Sequence, residues 1–262
     1  MVKTVNAITR AIQVLDVLRI HPSLSLAKLH HLTAIDKATL LRILKTLQES
    51  GWIYRSVGDA TYRLSYSLKQ SPSEPTKIEI IGELSSGIIQ ELQKKLYWPS
   101  DIAVRSGLAM QIVESTRSNA PFILNHQEIG FRPAMLFSAM GRTYLAYCPQ
   151  KERDSIIAGL KQIKNKEGRL AHDENWLQQL LLEVRERGYS EREPSYWGVM
   201  SNESRRIEAI AVPIFSESKI IAVLTLSWPQ GSVDPSTIPT EILPHLQRAS
   251  AQLSERLIGV SN

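Results

Sequence analysis

Apolar residues recur at three- and four-residue intervals through the first fifty positions, and this pattern predicts three helices. Ile8, Ala11/Ile12, Leu15 and Leu18 draw one apolar stripe. It stops at His21-Pro22, because Pro disfavours a helical residue before it. Ser25 suits the N-cap of a short second helix with Leu26, Leu29 and Leu32 inward. Thr33-Ala34-Ile35-Asp36 makes a tight connection, Asp36 caps a third helix, and Gly51 ends it. Leu40, Leu44 and Leu47 form the buried stripe of that helix, with Leu41 and Ile43 beside it. Trp52-Ile53-Tyr54-Arg55 and Thr61-Tyr62-Arg63-Leu64 flank Val57-Gly58-Asp59, which predicts a β-hairpin with its arginines on the side of the third helix. Two helices joined by a tight turn and followed by a hairpin describe a winged helix-turn-helix.

The periodicity breaks at Ser71-Pro72-Ser73-Glu74-Pro75, so residues 1–70 are expected to form one domain. A linker and connecting helix over 71–97 follow, with Ile81, Leu84, Ile88, Leu92 and Leu96 on one face. A second domain over 98–262 begins with short strands, Asp101–Arg105, Met110–Glu114 and Pro121–Asn125. Helices are predicted at Ala139–Cys148, Asn175–Gly188 and Ile238–Leu257, and late strands at Ile207–Ile214 and Ile220–Trp228. Lys161–Arg169 and Ser190–Glu193 read as solvated charged segments. Hairpin-connected strands between helices predict an α+β domain with an antiparallel sheet, of GAF/PAS-like kind.

Charge sharpens the picture. Of the formal net charge of +5, residues 1–70 carry a net +6, from ten Lys and Arg against four Asp and Glu, so the rest of the chain carries −1. A basic module on a near-neutral body points to a polyanion, and double-stranded DNA is the expected partner. The outer face of the third helix carries Lys37, Ala38, Thr39, Arg42, Lys45, Thr46 and Glu49. Arg42 has the fork that reads the O6/N7 edge of guanine, and Thr39 reaches a thymine methyl or a phosphate. Lys37 and Lys45 suit phosphates at the groove edges, and Arg55 and Arg63 an adjacent backbone or minor groove. For any one of these residues, an ordinary solvated face is the competing explanation.

With 262 residues, 43% of them hydrophobic, the chain excludes a stapled mini-protein and a wholly disordered one. Apolar runs are too short for a membrane span of about 20 residues. The segment Met1–Asn6 lacks an apolar signal region, and the single Cys148 forms no internal disulfide. A cytoplasmic location is expected. The scattered histidines and the lone cysteine have no metal-ligand spacing, so neither a metal nor a cofactor is expected.

The run Leu29–Leu47, with Ala38, Thr39 and Arg42 on its recognition helix, resembles the isocitrate lyase regulator (IclR) family of bacterial transcription factors. The family's turn usually has Gly where this chain has Ala34. Gly130-Phe131-Arg132-Pro133, Ser138-Ala139-Met140-Gly141-Arg142, Gly188-Tyr189-Ser190, Ile210–Ile214 and Leu224–Ser227 extend the resemblance from about Asn6 to Leu257. More narrowly, Leu96–Asp101 and Leu145–Pro149 are similar to activators of 3-(3-hydroxyphenyl)propionate catabolism. The resemblance implies a homo-oligomeric regulator, dimer or tetramer, with a small-carboxylate effector and contact with RNA polymerase where it activates. The first helix and the Ile78–Tyr97 helix are the candidate interfaces.

It also implies an effector pocket at Ser138, Ala139, Met140, Gly141, Thr225 and Ser227. Backbone N–H groups at a helix start suit a carboxylate. Thr225 and Ser227 alternate, so both hydroxyls share one sheet face. Equally, Ser138 is an ordinary helix cap and the other two are ordinary strand residues. Ala209 stands where the family has a pocket cysteine, and Arg192 replaces an acid, which suits an acidic effector. Arg105 and Arg132 are further candidates to pair with a carboxylate, and Trp98, Phe131, Phe137, Tyr144 and Trp228 for an aromatic wall. The function expected is activation of aromatic-acid catabolic genes. Alternatives are a repressor sensing a small aliphatic or keto acid, and an enzyme with a winged-helix appendage. Against the enzyme stands the lack of a Gly-x-Ser-x-Gly elbow or dinucleotide loop.

Overall fold

The computed structural model describes residues 4–66, 77–120, 129–194, 196 and 206–258. The chain forms two compact units, Met1–Glu83 and Leu84–Asn262.

In the first unit, helices α1 (Asn6–Ile20), α2 (Leu26–Thr33) and α3 (Lys37–Glu49) precede strands β1 (Ile53–Arg55) and β2 (Tyr62–Leu64). Both caps are present. Ser25 Oγ accepts from Lys28 N–H at 3.4 Å and Asp36 Oδ1 from Thr39 N–H at 2.9 Å. Leu40, Ile43, Leu44 and Leu47 are buried against Val14, Leu18, Leu29 and Ile53. Two stripes are corrected. On α1 the inward side is Val14 and Leu18 with Ala11, Leu15 and Val17, whereas Ile8 and Ile12 are 58% and 53% exposed. Two apolar stripes share that helix, and periodicity alone does not say which one packs. On α2, Leu32 points out and Thr33 is buried, its hydroxyl donating to Leu29 O at 2.7 Å.

The turn between α2 and α3 places Ala34 in the left-handed region, φ 55°, where it closes α2 by donating its N–H to His30 O. That conformation costs an L-residue with a Cβ about 1–2 kcal/mol. Ala34→Gly is therefore expected to stabilise the first unit by about 1 kcal/mol. A thermal melt lower than wild type would contradict it.

Helix α4 (Lys77–Leu96) runs across the division between the units. The second unit is built on a fully antiparallel five-stranded sheet. It contains β3 (Ser100–Ser106), β4 (Ala109–Ser115), β5 (Ser190–Glu191), β6 (Ile207–Ser216) and β7 (Lys219–Pro229), in the order β4-β3-β7-β6-β5. Pro213 fits because β5 pairs only with Ile210 and Ala211, so its missing N–H falls where β6 is an edge. Helix α5 (Ala139–Tyr147) packs on one face, tied by Thr143 Oγ1 to Ala211 O at 3.0 Å. On the other face lies α9 (Leu243–Arg256), whose Ser254 Oγ accepts from Phe215 N–H at 3.0 Å.

Several expectations change here. Pro121–Asn125 lies outside the described residues. Helices α6 (Gln150–Lys161) and α7 (Lys166–Leu170) precede the expected long helix, α8 (Glu174–Arg187). Lys161–Arg169 is not merely solvated, since Glu167 is buried and accepts Leu136 N–H at 2.7 Å. Burial raises its pKa, and the bonds from Leu136 and Met135 oppose the rise. Ser190 likewise is buried in β5. The last helix starts with a π-turn at Ile238–Ile242, beneath Pro239 and Pro244. None of the described helices is long and apolar enough to cross a membrane.

Candidate functional site

The helix-turn-helix presents a defined outer face. Lys37, Ala38, Arg42, Lys45 and Thr46 are exposed on α3, with Thr39 partly so. Thr46 Oγ1 donates to Arg42 O at 3.0 Å, and Lys45 reaches Glu49 only at 3.8 Å. The hairpin arginines behave differently. Register sets Arg63 opposite Tyr54 and Arg55 opposite Tyr62, so the two point to opposite faces and not to one. Arg63 is paired with Asp59 and donates to Thr61 Oγ1 at 3.3 Å. Arg55 donates to Ala60 O at 3.2 Å and lies 5.7 Å over the Tyr62 ring. Both guanidiniums hold the hairpin, and only Arg55 is exposed.

In the second unit a cavity opens between the start of α5 and the sheet. It is lined by Ser138, Ala139, Met140, Arg192, Ala209, Thr225 and Ser227, with Arg117, Phe131, Tyr196 and apolar neighbours. The cavity has a volume of about 50 Å³. Sheet register builds its floor: Thr225 lies between Asp101 and Ala211, and Ser227 faces Ala209. Thr225 is only 2% exposed, and its Oγ1 finds no hydrogen-bond partner among the described residues. Such an atom normally has one.

At the helix start, Ser138 Oγ accepts from Gly141 N–H at 3.0 Å and donates to Ala134 O at 2.6 Å. The Ser138 hydroxyl is therefore a cap. Ala139 and Met140, whose N–H groups helix geometry leaves without an intrahelical acceptor, line the cavity. Gly141 is not in the lining. It makes room instead, since a Cβ there would lie 2.1 Å from Met135 O.

Arg192 is part-buried at the rim, donates to Tyr196 O at 2.8 Å and sits 5.0 Å from the Tyr196 ring. Among the described residues no carboxylate pairs with it. Burial above all pushes its pKa down to about 10, with Tyr196 opposing and the nearby Arg117 charge assisting. An arginine left this way is a ready partner for a bound anion.

A model of the bacterial transcriptional regulator IclR C-terminal portion matches residues 76–255, and one of the IclR helix-turn-helix domain matches residues 7–56. The chain belongs to the IclR family. As a family member it is a DNA-binding transcriptional regulator and not an enzyme. The HTH-type transcriptional regulator XynR of Escherichia coli is 26% identical over 256 residues, 97% of each chain. A transcriptional regulator from Rhodococcus sp. RHA1 shares the fold at TM-score 0.56 and 18% identity, over 99% of this chain and 100% of that one. An IclR homologue from Microbacterium hydrocarbonoxydans, complexed with 4-hydroxybenzoate, matches at TM-score 0.53 and 18% identity, over 96% and 99%.

For this IclR-family chain some site expectations are corrected. Arg105 pairs with Glu152 at 2.8 Å and Arg132 donates to Ser106 O at 2.6 Å, so neither lines the cavity. Of the five expected aromatics only Phe131 does. Phe137 stacks on Tyr196 at 5.7 Å, Tyr144 donates to Glu152 at 2.7 Å, and Trp228 Nε1 to Glu208 at 2.9 Å. Sequence proximity to a motif did not put these rings in the cavity wall. Arg117, Tyr196 and Asp101 escaped sequence reasoning, because strand pairing brings them together from distant positions.

Proposed function

We propose that this IclR-family regulator controls operator binding through a small carboxylic acid held in the Arg192–Thr225 cavity. One observation carries the reading: among the described residues, Arg192 has no carboxylate partner and faces a cavity whose buried Thr225 hydroxyl has no hydrogen-bond partner. The acid would accept hydrogen bonds from Arg192, Thr225 and the N–H groups of Ala139 and Met140. Ser138, Ala209 and Ser227 shape the wall, and Gly141 supports it from behind. A cavity of about 50 Å³ with these polar groups suits a short aliphatic or keto acid. An aromatic acid, and with it the activator of aromatic catabolism, is the second reading, drawn from Phe131 and Tyr196 in the lining. Calorimetry with short aliphatic and aryl acids separates the two, and failure of every acid to bind would end the carboxylate reading.

Residues 1–70 act as the DNA-binding domain, 71–97 as linker and connecting helix, and 98–262 as the effector domain. Lys37, Ala38, Thr39, Arg42, Lys45 and Thr46 carry the DNA contact, with Arg55 at the margin. Arg42→Ala should lose about 1–3 kcal/mol of discrimination between operator and random DNA, whereas Lys45→Ala should weaken both alike and flatten the salt dependence. Equal losses on both DNAs for Arg42→Ala would refute its base-reading role. The protein works in the cytoplasm as a homo-oligomer, and at activated promoters it touches RNA polymerase. Ile8 and Ile12, exposed on α1, with Val5 just before it, supply an apolar face for pairing.

A further inference from the structure

Two arginines border the cavity, and their surroundings differ. Asp101 holds Arg117, with the carboxylate 3.0 and 3.1 Å from Nε and 2.6 Å from an Nη. Asp101 is fully buried and also accepts from Ser115 Oγ at 2.7 Å. That ion pair is neutral as a unit. Among the described residues, Arg192 has only the Tyr196 carbonyl and ring. No acidic side chain lines the cavity among the described residues. The described acids nearby are committed elsewhere: Glu193 to Arg142 at 2.6 Å, Glu191 to Arg187 at 3.7 Å and Glu208 to Trp228 Nε1 at 2.9 Å, while Glu114 is adjacent to Ser115 on β4 and so faces the opposite side of the sheet from Asp101. Among the described residues the cavity thus offers one positive charge without a carboxylate partner.

A monocarboxylate balances that charge. A second carboxylate has two options, both unfavourable. It either stays unpaired in a small, partly open cavity beside buried apolar wall or takes Arg117 from Asp101, which strands a fully buried anion. We propose that Asp101 sets the charge class of the effector: the cavity takes singly charged carboxylic acids and excludes dicarboxylates because Asp101 already occupies Arg117. This rests on the carboxylate reading of the cavity above. Asp101 does not line the cavity and acts through Arg117, so it is a positioning residue.

The test is calorimetry on the full chain with butyrate against succinate and pyruvate against oxaloacetate. Wild type is expected to bind each monoacid at least ten-fold tighter than its diacid. Asp101→Asn frees Arg117, and the diacid should gain at least ten-fold relative to the monoacid. The double variant Asp101→Asn, Arg117→Gln removes both charges and should restore the wild-type ratio. A structural role alone would weaken both acids together and leave the ratio unmoved. If Asp101→Asn does not fold, the wild-type and double-variant ratios decide. A wild type that binds diacids as tightly as monoacids overturns the inference and leaves the carboxylate reading standing, as does an unmoved ratio in Asp101→Asn or a double variant that prefers diacids. If no acid binds, both fall together.

Discussion

Gly141→Ala is expected to destabilise the second unit by about 3 kcal/mol and to abolish effector binding. The added Cβ would sit 2.1 Å from Met135 O and 2.5 Å from Met135 Cα, and these are backbone atoms that cannot rotate away. Met135 and Leu136 are clamped from the other side, since Glu167 accepts the Leu136 N–H. The start of α5 would have to move, and the Ala139 and Met140 N–H groups with it. Gly87 is the control, being helical with nothing within 4 Å of an added Cβ. Gly87→Ala should raise stability by about 0.5–1 kcal/mol. Denaturant midpoints for the two variants that move in the same direction would contradict the account.

Arg192→Met should weaken acid binding by about 2 kcal/mol, roughly 30-fold, through loss of a charge-assisted hydrogen bond. The same substitution should leave the acid-free protein as stable as wild type or about 1 kcal/mol more so, because it removes a part-buried charge that has no carboxylate partner among the described residues. Lost affinity with retained stability is the signature of a group kept for its ligand. A variant that melts lower and binds acid normally would reassign Arg192 to the fold.

Much of this architecture was legible along the chain for identifiable reasons. Asp36 as a cap and the Leu40–Leu44–Leu47 stripe define α3 by local rules, and the structure keeps both. Thr225 and Ser227 alternate, and strand alternation alone puts them on one face of β7. Arg192 stood out as a departure from a family pattern, although its surrounding segment looked like a solvated charged one. Arg117 gave no local signal. It reaches the cavity because Asp101 anchors it from another strand, and that pairing exists only once β3 and β4 are in register. Arg63 shows the converse. Its type and position suited a DNA contact, but a four-residue reach to Asp59 across the hairpin turn commits it to the hairpin. On α1 two apolar stripes competed, and only tertiary packing chose Val14 and Leu18.

The central claim is that occupancy of the Arg192–Thr225 cavity is coupled to operator affinity. The direct measurement is fluorescence anisotropy of an operator fragment selected by the protein from genomic DNA, titrated without acid and with saturating acid at fixed salt. The acid is the tightest binder from the calorimetry panel. At least a five-fold change in operator Kd is predicted, equivalent to about 1 kcal/mol of coupling, and Arg192→Met should bring that change to nothing at the same acid concentration. Superimposable isotherms with and without acid, on protein shown by calorimetry to hold it, would contradict the account.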